Sequence, residues 1–211
     1  MKDAARRFKG EVILRVSFMA TILCDIGGVL IDVDYRPALE GLSKECGLSE
    51  EAIYERMFGS GLKERHDEGK ISSYEFYSAI VPEERISFGR FGDLWSGIFS
   101  EKKEVIDYIG SLGKRCRLLT ASNIDSIHFD FCYKNYKWLS VFDGMGLSYK
   151  LGYTKPSRGF FEKLCEEFGI EAGGAVLIDD TEENIQGAED FGIRGHLFRG
   201  LAGLKELLRD F

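Results

Sequence analysis

A chain of 211 residues that is 44% hydrophobic and 30% charged can bury one substantial core, alone or with a smaller attached unit. Its formal net charge of −7 excludes the basic footprint that nucleic-acid or anionic-membrane binding requires, so neither partner is expected. The cysteines (Cys24, Cys46, Cys116, Cys132, Cys165) form no CxxC pair and the histidines (His66, His128, His196) show no ligand spacing. That pattern excludes a disulfide framework and a zinc site, and fits reduced thiols in a cytoplasmic protein.

In residues 1–18, Arg6, Arg7 and Lys9 precede an apolar stretch from Val12 to Phe18, faintly like a signal peptide. Arg15 interrupts it, and no small-residue cleavage site separates it from Ile22 and Leu23. The segment reads as an N-terminal extension ahead of an alternative start at Met19. Thr21 to Asp25 is an apolar run stopping at Gly27-Gly28, which predicts a buried parallel strand and a tight turn. Val29 to Asp34 alternates and predicts a small hairpin. From Tyr35 to about Phe99 the period is helical, with Asp34 as a cap and Gly47 as a stop, then Ser49 and Gly59, then Gly69. Ser72 and Glu75 predict a capping box for a helix through Ile80. With no strand signal, residues 35–100 are expected to form a helical insertion in a core made of 19–34 and 101–211.

A helix is predicted over about Glu101 to Leu112, followed by strict alternation. Strands are expected at Arg117–Thr120, Val141-Phe142, Gly146–Tyr149, Ala175–Asp179 and Arg194–Phe198. Helices are expected at Ile124–Tyr133, Ser157–Phe168 and Glu182–Phe191, with a last one at the C-terminus. The order implies an α/β class: a doubly wound, Rossmann-like, mainly parallel sheet interrupted after its first strand.

Ligands bind such sheets at the carboxyl ends of the strands. Asp25, Thr120, Lys155-Pro156 and Asp179-Asp180 with Asn184 all fall there. Carboxylates at two positions, a hydroxyl and a lysine suit phosphoryl transfer. Hard oxygens hold magnesium, a carboxylate serves as nucleophile, and the hydroxyl and ammonium stabilise the transferring group. Ser122 competes with Thr120 for the hydroxyl role, and Lys150 with Lys155 for the ammonium. Each residue also has a plainer reading as a turn, cap or solvated side chain.

Taken in order, Asp25-Ile26-Gly27-Gly28-Val29-Leu30, Leu118-Leu119-Thr120, Lys155-Pro156 and Val176-Leu177-Ile178-Asp179-Asp180 with Asn184 resemble the four motifs of the haloacid dehalogenase (HAD) superfamily. The resemblance spans about residues 20–208, with the helical segment where that family inserts its cap. It implies that Asp25 is the nucleophile and, with the Gly27 carbonyl, Asp179 and Asp180, holds Mg²⁺. It places Asn184 behind the metal ligands and sets Thr120, Ala121 and Lys155 against the substrate phosphate.

Two positions depart from the family pattern. Gly27 stands where the family usually has a second, acid/base aspartate, a group typically worth about 10²- to 10⁴-fold in rate. Ala121 stands where asparagine is common. A branch similar to α-D-glucose-1-phosphate phosphatases also reads Asp-x-Gly, with an Asp-x-Asp after it like Asp32-Val33-Asp34. Asp32, His66, Asp67 and Glu68 are the candidates to replace the missing acid. The leading expectation is a Mg²⁺-dependent phosphatase acting on a small-molecule phosphate ester such as glucose-1-phosphate, as a monomer or weak homodimer. Against it stand a catalytically weak or inactive binding or regulatory protein and a 2-haloacid dehalogenase. The acidic pair Asp179-Asp180 argues against the dehalogenase.

Overall fold

The computed structural model describes residues 20–209; the N-terminal extension expected at 1–18 lies outside them. The apolar runs become parallel strands: β1 (Thr21–Cys24), β4 (Arg117–Ser122), β5 (Gly144–Leu147), β6 (Ala175–Asp179) and β7 (Arg194–Leu197). They form one sheet in the order β5-β4-β1-β6-β7, every neighbouring pair parallel. β1, β4 and β6 are central and almost wholly buried, which is why they read as continuous apolar runs and not as alternation. Leu23, Leu119 and Leu177 pack on one face with Phe160, Phe161 and Leu164. Ile22, Leu118, Val176 and Ile178 pack on the other with Ile109, Leu112 and Leu204. This is the doubly wound α/β fold.

The helices of the sheet are α6 (Lys103–Leu112), α7 (Ser126–Asn135), α8 (Ser148–Leu151), α9 (Arg158–Phe168), α10 (Glu182–Phe191) and α11 (Leu201–Leu207). Caps explain their ends. The Ser157 and Asp125 side chains accept from backbone N–H groups of the first turns of α9 and α7. Gly169 and Gly192 close α9 and α10 in the left-handed conformation.

Between β1 and β4 lie α1 (Arg36–Cys46), α2 (Glu50–Tyr54), α3 (Leu62–Asp67), α4 (Ser73–Ile80) and α5 (Phe88–Ser96). A π-helical turn at Glu55–Gly59 joins α2 to α3. These helices bury a core of their own around Leu42, Met57, Phe76, Phe91 and Trp95. The Ser72–Glu75 capping box forms, and Ser49 caps α2. Asp34 accepts from the Arg36 N–H at 3.1 Å, so it steadies the entry to α1 from one residue before the cap position.

Some expectations change. Residues 29–34 do not make a hairpin with themselves. Instead β2 (Ile31–Val33) pairs antiparallel with β3 (Phe99–Glu101), tying the entry of the helical segment to its exit. β3 takes residues expected to lie in or next to helices, so α6 starts at Lys103. Val141-Phe142 is not a strand, because Val141 ends a 3₁₀ turn (Lys137–Val141). β5 begins two residues earlier than expected, at Gly144, and ends at Leu147, where α8 follows. No helix among the described residues is long and apolar enough to cross a membrane.

Candidate active site

The parallel register sets the site. Cys24 pairs with Ile178 and with Thr120, so Asp25 and Asp179 emerge side by side from β1 and β6, and the Asp25 N–H donates to Ile178 O at 2.9 Å. Oxygen atoms of Asp25, Asp179 and Asp180 all lie within 4.8 Å of one another. Asp25 and Asp179 are buried. The Lys155 Nζ reaches between them, 2.5 Å from Asp179 Oδ2 and 3.1 Å from Asp25 Oδ2, with its side chain fully buried. Asn184 Nδ2 donates to Asp179 Oδ1 at 3.0 Å, and the Thr181 N–H donates to the same oxygen at 2.9 Å.

Burial pushes the Asp25 carboxyl up to about 6. Lys155 opposes the rise, Asp179 adds to it, and hydrogen bonds from Ser122 and Lys155 oppose it further. Burial alone would lower the Lys155 ammonium, but Asp25 and Asp179 outweigh it and hold the group above the ordinary lysine range. Three carboxylates facing one ammonium leave two negative charges unbalanced in a largely desolvated place. All the donors are hard oxygens. The set therefore fits a divalent cation of the magnesium class.

Gly27 and Gly28 make the loop leaving Asp25, and the Gly28 N–H donates to Ile31 O at 2.8 Å. Gly28 has φ +71°, and a β-carbon on it would lie 2.0 Å from Asp180 Oδ2. Only glycine lets the loop pass that close to the carboxylate. Gly28→Ala is expected to displace Asp180 and lower Mg²⁺ affinity about 10- to 100-fold in a calorimetric titration.

β4 ends two residues later than expected, at Ser122. Thr120 is buried within β4, and its Oγ1 donates to the Met145 sulfur at 3.7 Å. Ala121 packs among Leu23, Leu119 and Phe160 on the other face. Neither is brought to the carboxylates. β4 runs on to Ser122, whose hydroxyl lies within hydrogen-bonding reach of the Asp25 carboxylate. Asn123 follows and clamps the backbone of Lys155, accepting its N–H at 2.7 Å and donating to its carbonyl at 2.9 Å. The signal lies in the sequence: a hydroxyl followed by asparagine at the true strand end.

Lys150 is exposed on α8 against Phe129 and Tyr149, away from the carboxylate group. Asp32 pairs with Lys102 at 3.0 Å on the β2–β3 ribbon, and Glu68 pairs with Lys70. His66 belongs to a buried polar group centred on Asp125, which sequence reasoning missed. Asp125 Oδ2 receives Trp95 Nε1 at 3.2 Å and lies 3.0 Å from His128 Nδ1, 3.5 Å from Lys63 Nζ and 3.8 Å from His66 Nδ1. Burial works against the Asp125 charge, yet His128 and Lys63 hold the carboxyl well below its usual range. Asp125 thus fastens α3 and α5 to the loop that follows Ser122 and carries Asn123.

No family model matches the chain. It is 25% identical to a D-ribitol-5-phosphate phosphatase of Bacteroides thetaiotaomicron over 81% of its own length and 87% of the relative's. It is 34% identical to the sesquiterpene phosphatase AstK of Aspergillus oryzae, over only 35% of this chain and 37% of that one. A solved HAD-family enzyme of B. thetaiotaomicron superposes with a TM-score of 0.80 at 24% identity, covering 92% of this chain and all of the other. A structure of that enzyme in complex with magnesium and inorganic phosphate gives 0.79, over 90% and all of the two chains at 24% identity. A HAD-like hydrolase of Porphyromonas gingivalis also gives 0.79, at 24% identity over 92% and all of the two chains. The chain has the fold of the haloacid dehalogenase enzymes.

Proposed function

We propose that the chain is a magnesium-dependent phosphohydrolase that acts on a small phosphate monoester through an aspartyl-phosphate on Asp25. The observation carrying this reading is the group Asp25, Asp179 and Asp180 with Lys155 held between two of them at the carboxyl end of the sheet. The magnesium and phosphate bound by the solved HAD-family enzyme support it.

Asp25, the Gly27 carbonyl, Asp179 and Asp180 would hold Mg²⁺, which when bound neutralises phosphate charge and aligns the ester. The protein's residues do the rest. The Asp25 carboxylate forms a bond to phosphorus as the ester P–O bond breaks, and the leaving alkoxide oxygen takes its proton from solvent water. Water then attacks the phosphorus, returning Asp25 and inorganic phosphate. Lys155 and the Ser122 hydroxyl stabilise the equatorial oxygens, while Asn123 fixes the Lys155 backbone. With glycine at position 27, the leaving oxygen gains no help from that position, so esters of better leaving groups are favoured. Residues 35–100 act as a cap that closes over the site and excludes water. D-Ribitol-5-phosphate, the substrate in the relative's name, joins glucose-1-phosphate on the substrate panel.

Phosphate release from sugar phosphates, polyol phosphates and an aryl phosphate tests the reading. Turnover is expected to require Mg²⁺ and to fall more than about 10³-fold in Asp25→Asn. Turnover that survives chelation or the substitution would overturn it. Gly27 supports one second reading, a protein that binds magnesium without turnover, which predicts a calorimetric Mg²⁺ signal and no release from any ester.

A further inference from the structure

The Gly27-Gly28 pair gives the loop after Asp25 two residues with little conformational preference of their own, so hydrogen bonds must fix it. Within the loop, the Gly28 N–H donates to Ile31 O at 2.8 Å, and the Leu30 and Ile31 N–H groups both donate to Ile26 O. From outside, Lys102, which stands between β3 and α6, bonds it twice. Its N–H donates to Leu30 O at 2.9 Å, and its ammonium donates to Gly28 O. The Gly28 N–H belongs to the same planar peptide as the Gly27 carbonyl, so both peptide planes beside the Gly28 α-carbon are pinned.

An ammonium has three donors. Besides Gly28 O, Lys102 Nζ faces Asp32 Oδ1 at 3.0 Å and the Phe198 ring, whose centre is 5.5 Å away. The Phe198 N–H donates to Asp179 O at 2.7 Å, and Arg199 Nη1 donates to Asp180 O at 3.0 Å. Lys102 therefore joins the loop after Asp25 to the segment that holds the backbone of Asp179 and Asp180. Gly28, Lys102, Asp180, Phe198 and Arg199 share the wall of one cavity of about 610 Å³. The Lys102 side chain is 25% exposed, so water can replace the bonds of a lost ammonium, and its removal costs position more than burial.

We propose that Lys102 is a positioning residue for the metal group, holding the Gly27–Gly28 backbone where the Gly27 carbonyl and Asp180 together meet Mg²⁺. This rests on the magnesium part of the reading above and not on turnover. The sign of the effect separates it from one of charge. A cation beside a metal site repels the metal, so a Lys102 acting through charge alone would weaken Mg²⁺ binding, and its loss would tighten it. A Lys102 that holds the loop strengthens binding, and its loss weakens it. Asp32 balances the ammonium, which leaves the holding effect to dominate.

Calorimetric titration with Mg²⁺ compares wild type, Lys102→Met and Asp32→Asn. Lys102→Met is expected to weaken Mg²⁺ affinity about 10- to 100-fold, the usual cost of losing a partner behind a metal ligand. Asp32→Asn removes an exposed ion pair and leaves the Gly28 bond, so affinity is expected to stay within about threefold of wild type. Lys102→Gln, shorter and uncharged, gives the same comparison where Lys102→Met does not fold. On an ester that wild type hydrolyses, the Mg²⁺ concentration for half-maximal rate is expected to rise by the same factor in Lys102→Met, with kcat at saturating Mg²⁺ within about threefold. Unchanged or tighter Mg²⁺ binding without the Lys102 ammonium would overturn the proposal. An equal loss in Asp32→Asn would overturn it too, by placing the effect in the ion pair. A wild type that binds no Mg²⁺ would overturn the proposal and the phosphatase reading together. One that binds Mg²⁺ and releases no phosphate from any ester would overturn that reading alone, and the titration would still decide the role of Lys102.

Discussion

Lys155→Met is expected to abolish phosphate release and, without magnesium, to destabilise the fold by about 3–5 kcal/mol. The lysine is the only ammonium between Asp25 and Asp179 among the described ion pairs, at 3.1 and 2.5 Å. Methionine keeps much of the apolar stem but leaves two adjacent buried carboxylates facing each other. For a chain of this size the loss lowers Tm by roughly 6–20 °C. Two further readouts separate charge from packing. Added Mg²⁺ is expected to narrow the gap to wild type, since the cation then neutralises the same oxygens. Acid is expected to narrow it as well. The Asp25 carboxyl stands at about 6 with Lys155 present, above the ordinary aspartate value of 3.8. A carboxyl raised in the folded state destabilises as pH climbs past its unfolded value, and the penalty is complete above the folded one. Losing Lys155 moves the folded value higher still, so the gap opens as pH rises through about 6, where the wild-type Asp25 becomes charged, and closes below it. A gap independent of both Mg²⁺ and pH would mean that the lysine contributes packing alone.

Ser122→Ala is expected to lower kcat/KM by about 10²- to 10³-fold, the usual effect of losing one donor to a developing oxyanion. Thr120→Val is expected to stay within about threefold of wild type, because the Thr120 hydroxyl meets the Met145 sulfur inside the sheet. Ser122→Ala should also shift the acid limb of the pH–rate profile upward, since the hydroxyl helps to hold the Asp25 charge. The reverse result, with Thr120→Val the damaging change, would return the role to Thr120.

These two sites also separate what the amino-acid sequence makes legible from what only packing creates. Asp25, Asp179 and Asp180 are legible because acids at the ends of apolar runs conflict with burial unless they have a use. Lys155 is legible because the proline and helix start after it mark a fixed loop. Thr120 reads as the end of its strand, where β4 runs on to Ser122, because a strand's last residue is set by the register of its neighbours, and the local pattern carries no register. β4 continues past Thr120 while its partner β5 runs beside it to Leu147. The Asp125 group is illegible for a related reason: Lys63, Trp95, Asp125 and His128 meet only once α3, α5 and α7 pack together. The β2–β3 ribbon escapes the sequence because two very short strands, one on each side of the whole helical segment, leave no periodic trace.

That ribbon gives the helical segment a simple mechanical status. The chain leaves the sheet and returns to it through adjacent antiparallel strands, so everything between them is, topologically, one long loop on a single stalk. The stalk is stitched to the nucleophile loop: the Lys102 ammonium bonds the Gly28 carbonyl and lies 3.0 Å from Asp32, and the Lys102 N–H donates to Leu30 O. The helical segment is therefore tied through Lys102 to the backbone that leaves Asp25. The same stalk makes the helices exchangeable, since a substitute of any length that enters and leaves through paired strands leaves the order of the five-stranded sheet untouched.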